Sequence, residues 1–131
     1  MSMKTQSGRA EKRLRTDAEN VDEQDAQRVL HKADRIEKKF SGAGPLGRFV
    51  SDGKLMLAMV RDYVRGSYRE IPWWSVAAVT AALLYVLNPL DLVPDFVPGF
   101  GYIDDAAVIA ACLRLVEKDL RKYREWKEKE A

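Results

Sequence analysis

The stretch Ile71–Asp105, IPWWSVAAVTAALLYVLNPLDLVPDFVPGFGYIDD, decides how the chain folds. The protein carries 22 Lys and Arg, yet no basic residue lies between Ile71 and Leu113. Trp73 to Leu87 is apolar on every side, with Ser75 and Thr80 its only non-aromatic polar residues. A helix of that kind is either the buried centre of a bundle or embedded in lipid. Pro72 suits its first turn, where a missing amide costs no intrahelical bond. Asn88-Pro89 stops it, because the residue before a proline is pushed out of helical conformation. Fifteen residues rise about 22 Å, short of a hydrocarbon layer of about 30 Å.

Beyond that helix, Pro89, Pro94 and Pro98 with Gly99 and Gly101 exclude any regular helix, so the chain turns. Leu90, Leu92, Val93, Phe96, Val97 and Phe100 are too apolar for a solvated loop and predict a loop folded over the helix ends. A last helix is expected from near Ile103 or Asp104 to about Lys127. Ile109, Leu113, Val116, Leu120 and Tyr123 form its stripe, and Glu117–Arg121 and Glu125–Lys129 have i,i+4 spacing. Alanines 77, 78, 81 and 82 on one helix, and 106, 107, 110 and 111 on the other, repeat small residues at helical spacing. Such faces let backbones approach closely. The stretch therefore reads as a helical hairpin with an acidic, proline-clamped tip.

Toward the N-terminus, Phe49, Gly53, Met56, Val60 and Val64 share one face of a helix ending near Ser67. Gly53 in it is a mild cost or a site of close approach. SGAGPLG, residues 41–47, is a linker. Ahead of it Ala26, Val29, Ala33, Ile36 and Phe40 form the stripe of an amphipathic helix over residues 20–40, with Asn20 and Glu23 at capping-box spacing. His31 lies off that stripe, with no other His or Cys near it, and reads as a surface residue. Residues 1–19 are basic and nearly lack large aliphatics, which predicts a disordered tail. The expectation is an all-α protein of about four helices with bundle-like packing, its domain spanning 48–131 and the signature 71–112.

Composition narrows the function classes. A net charge of +2 on a chain of 131 residues, with acids interleaved among bases, argues against nucleic acid as a partner. The single cysteine, Cys112, sits in an apolar run and cannot form an internal disulfide. The first residues lack the apolar segment of a secretory signal.

The run LLYVLNPLDLVPDFVPGFGYIDDAAVIA closely resembles the signature of the YkvA-like family, a bacterial and archaeal domain of unknown function, and RDYVRGSYREIPWW resembles its lead-in. The resemblance covers residues 55 to 117. It implies a small helical domain, described as membrane-associated from its hydropathy, with no established activity or cofactor.

Two site hypotheses follow. Asp91, Asp95, Asp104 and Asp105 supply oxygen ligands of the kind a hard divalent cation takes, on a motif fixed by Asn88, Pro89, Pro94, Pro98 and Gly101. The structural alternative has Asp91 and Asp95 accepting from loop amides, and Asp104 and Asp105 favoured at a helix N-terminus. No nucleophile or base accompanies these acids, so no catalytic residue is assigned and no cofactor is expected beyond a divalent cation. The second hypothesis places Trp73 and Trp74, with Arg65 and Arg69 before them, at a membrane interface with cytoplasmic termini. A shallow hairpin fits better than a span, because Asp104, Asp105 and Arg114 leave too short an uncharged run. On this reading the protein is a non-enzymatic membrane-associated or scaffold module whose partners are lipid, a membrane protein or a second copy. The competing class is a cytoplasmic soluble bundle that binds a cation or small ligand at the acidic tip.

Overall fold

The computed structural model describes residues 3–41, 44, 46–87 and 105–130. Among these there is no strand, and there are seven α-helices where about four were expected. They are α1 (Met3–Glu19), α2 (Glu23–His31), α3 (Ala33–Phe40), α4 (Val50–Arg65), α5 (Trp73–Leu87), α6 (Asp105–Leu115) and α7 (Glu117–Glu130). A 3-10 turn, Gly47–Phe49, leads into α4.

Helix α5 is the axis of the bundle. Every residue from Ser75 to Leu87 is buried, and α1, α2, α3, α4 and α6 all pack against it. An apolar surface on all sides has to be covered on all sides, which is why five helices surround one. The alanine faces act as read for the hairpin. Ala78 lies close enough to α6 for its carbonyl to accept from the Cys112 thiol at 3.8 Å.

Helix α1 corrects the expectation of a disordered tail over residues 1–19. Ala10, Leu14 and Ala18 are buried against α5 and α6. Counting large aliphatics missed it, because α1 needs only one: alanines let its backbone approach the small-residue face of the hairpin. Arg13 and Asp17 are buried beside them as an i,i+4 pair at 3.0 Å, with the Arg13 guanidinium 5.3 Å from the Tyr85 ring centroid. Burial raises the Asp17 carboxyl above its ordinary value, and the Arg13 charge and hydrogen bond oppose that rise. One core thus runs from Ala10 to Tyr123.

The segment read as one helix over 20–40 is two, stepped at Lys32, whose φ of −109° and ψ of 20° lie outside the helical region. Its capping box is Asp22–Asp25, not Asn20–Glu23. Asp22 accepts from the Asp25 amide at 3.0 Å, and Asp25 accepts from the Asp22 amide at 3.1 Å. Asn20 instead donates to the Thr16 carbonyl at 3.1 Å and closes α1. The stripe itself is in place, with Ala26, Val29, Ile36 and Phe40 buried and His31 exposed. Ser41 follows α3, and the 41–47 segment beyond it is only partly described.

Gly53 is a site of close approach, since a Cβ there would stand 2.9 Å from ring atoms of Phe40. Gly66, at φ +83°, ends α4 in the left-handed region that glycine adopts without a steric cost. The last helix is stepped at Val116 into α6 and α7. Neither Glu117–Arg121 nor Glu125–Lys129 is among the ion pairs formed. Pairs that do form include Arg13–Asp17, Arg28–Asp25, Arg114–Glu11 and Lys127–Asp62. Solvent screening at exposed helix faces leaves i,i+4 carboxylates little reason to hold one rotamer.

Candidate functional site: an aromatic and basic rim at the head of the central helix

The N-terminus of α5 is where its apolar surface meets solvent. Trp73 is half-buried against Tyr63 of α4, ring centroids 5.9 Å apart, and the Arg69 guanidinium lies 4.6 Å from the other ring of that pair, Tyr63. Trp74 is 36% exposed, one of two large apolar residues that open to solvent among the described residues. The Arg15 guanidinium lies 5.7 Å from its ring centroid. Three of the residues singled out in the sequence, Arg69, Trp73 and Trp74, thus stand at the head of α5, and Arg65 is the exposed last residue of α4. Arg15 was missed. Its only signal lay in α1, whose packing a composition argument could not see.

Behind this rim a polar and aromatic clasp fastens α7. Ser75 donates to Asp119 at 2.5 Å, and the Tyr123 hydroxyl donates to the buried Asp62 carboxylate at 2.5 Å. Lys127 adds a 3.3 Å contact to the same Asp62 oxygen. Tyr68 meets Tyr123 edge-on at 5.3 Å and Trp126 at 4.9 Å. Burial raises the Tyr123 hydroxyl well above its ordinary value, the Asp62 hydrogen bond and charge push it further, and Arg61 partly opposes them. A tyrosine held neutral as a donor, with its side chain fully buried, is a structural strut here.

Of the acidic set, Asp105 is the half-buried first residue of α6. Asp91, Asp95 and Asp104, together with Asn88, Pro89, Pro94, Pro98 and Gly101, lie outside the described residues. Among the described residues no group of three His, Cys, Asp or Glu is placed to hold a metal ion. No described helix is long and apolar enough to cross a membrane.

The fold and rim define an all-helical bundle protein built around one buried, uncharged helix whose aromatic head reaches solvent. Residues 75–111, which hold most of α5 and α6, match the family described as protein of unknown function (DUF1232), and that match supports the resemblance of this segment to the YkvA-like family. It is 41% identical over 69 residues to a Bacillus subtilis (strain 168) protein named "Uncharacterized membrane protein YkvA", a match covering 53% of this chain and 65% of that one. It is 30% identical over 94 residues to the Xenopus laevis protein named "E3 ubiquitin-protein ligase RNF170", covering 68% of this chain and 37% of that one. The chain therefore spans less than two thirds of either relative. No solved structure matches it.

Proposed function

We propose that this protein is a non-enzymatic helical module that works at a membrane surface and docks through the Trp74 rim. The observation that carries this reading is the exposed Trp74 indole flanked by Arg15, with Trp73 and Arg69 beside it. Indole rings favour the headgroup layer, and arginines beside them attract anionic lipid at about 1 kcal/mol each. The word "membrane" in the name of the Bacillus subtilis relative agrees with it. Binding of this kind is reversible and salt-sensitive, and its partner is lipid or a membrane protein presenting anionic surface. Insertion of α5 is the less favoured form, because lipid would have to displace five packed helices to reach it.

The burial of Ser75–Leu87 also supports the competing reading, a soluble bundle with no membrane partner. Fractionation separates the two. The surface module sediments with membranes in low salt and is released by alkaline carbonate, and Trp74→Ala with Arg69→Gln moves it to the soluble fraction. Retention in carbonate-stripped membranes would mean an inserted hairpin. Failure to sediment at any ionic strength would leave the soluble bundle.

A further inference from the structure

An open depression of about 390 Å³ lies between the start of α4 and the junction of α6 with α7. Its volume is within the range of about 300–1,000 Å³ that small-ligand sites occupy. Leu113 and Leu120 line it, and Arg114, Arg121 and Arg124 surround them. These arginines are seven and three residues apart, a helical spacing, and all three line the one depression although α6 and α7 are separate helices. Two of them have no ionic partner. Arg114 pairs with Glu11 of α1 at 3.1 Å with both side chains partly open, whereas neither Arg121 nor Arg124 has a carboxylate within ion-pair distance among the described residues.

Asp52 and Glu117 in the lining and Glu11 on Arg114 offset the three guanidinium groups in sum, so the depression offers separated positive and negative ends, which suit a ligand carrying both charges. Arginine's planar fork matches phosphate with two parallel hydrogen bonds, where lysine offers a point charge. The same depression is lined by two carboxylates, Asp52 of α4 and Glu117 of α7. They discriminate against a bare anion and favour one that carries a donor, hydroxyl or ammonium, beside its phosphate.

We propose that this depression is a binding site for a phosphate ester bearing a hydroxyl or ammonium group, with Arg114, Arg121 and Arg124 on the phosphate and Asp52 and Glu117 on the donor. That chemistry is shared by soluble phosphoesters and by lipid head groups. The site involves none of the Trp74 rim residues, so it stands whether or not the membrane reading does.

The test is titration of the full chain with phosphoethanolamine and with inorganic phosphate at constant ionic strength, read by NMR at the arginine Nε–H resonances. Saturable shifts at Arg121 and Arg124, with the ester at least threefold tighter than phosphate, are the expected result. Arg121→Gln with Arg124→Gln, both exposed in the fold, weakens binding at least tenfold with an unchanged circular dichroism spectrum. Arg28→Gln with Arg35→Gln leaves it unaltered. Vesicles of phosphatidylethanolamine that outcompete the soluble ester identify a lipid head group as the source, and vesicles that do not compete identify a soluble ligand. Non-saturable shifts, or equal weakening by both double variants, would overturn the site.

Discussion

The Tyr123 hydroxyl of α7 reaches across to the Asp62 carboxylate of α4 at 2.5 Å, in a setting where both side chains are withdrawn from water. Tyr123→Phe removes the donor and leaves a buried carboxylate with only Lys127 for support. The expected loss is about 1–3 kcal/mol, the cost of an unsatisfied buried acceptor, measured by urea unfolding. Asp62→Asn keeps an acceptor for the same hydroxyl and costs less.

The same bond makes stability depend on alkaline pH. Because the folded state raises the Tyr123 pKa above its ordinary 10.0, the folded chain holds a proton that the unfolded chain has released. The stabilisation is complete below about pH 10 and is lost as pH rises from there toward the raised folded value. Chemical unfolding between pH 9 and 12 should show that decline in the parent protein, and a shallower one in Tyr123→Phe.

Leu14 is the one large aliphatic that seats α1, at 1% exposure. Leu14→Ala should cost about 2–5 kcal/mol, the range for a buried leucine whose cavity cannot fully collapse. If residues 1–19 were a loose tail, the thermal midpoint would be unchanged.

At Gly53 two effects oppose each other. Alanine gains about 1 kcal/mol of helix propensity, but its Cβ would press on the buried Phe40 ring, and overpacking of that kind costs about 1–3 kcal/mol. The clash involves Cγ, near the ring's attachment, so the ring cannot swing clear and Gly53→Ala is expected to destabilise. Phe40→Leu in the same chain should recover part of the loss, a coupling read from a double-mutant cycle.

Cys112 is fully buried, and burial alone pushes its thiol up to about 12. Thiolate is scarce and access is closed, so reaction with a disulfide reagent at pH 8 should proceed only as fast as the protein opens. A rate that rises with added urea in step with unfolding checks this.

What the sequence showed and what it hid divide along physical lines. The uncharged run from Trp73 to Leu87 announced α5, and the stripes over Ala26–Phe40 and Gly53–Val60 announced partners for it, because periodicity is a property of the chain itself. Steps at Lys32 and Val116 were hidden, since they follow from where neighbours sit and leave the stripe unbroken. Helix α1 was hidden for a different reason: Ala10 and Ala18 bury little area, and their value exists only opposite another small-residue face. At the rim, Arg69, Trp73 and Trp74 were legible from their neighbours in sequence, whereas Arg15 arrives from 59 positions away. Of the arginines of the depression, Arg121 read as one half of a surface ion pair and Arg114 only as a limit on the uncharged run, so their convergence on one site was hidden.

Helix α1 also sets an order of events during synthesis. Its docking surface is made by α5 and α6, which the ribosome delivers roughly a hundred residues later, several seconds at about 5–20 residues per second. Over that interval Leu14 has nothing to cover, and an isolated helix of this length is marginal in water. Helix α1 is thus seated only once α5 and α6 have emerged, well after it is itself made.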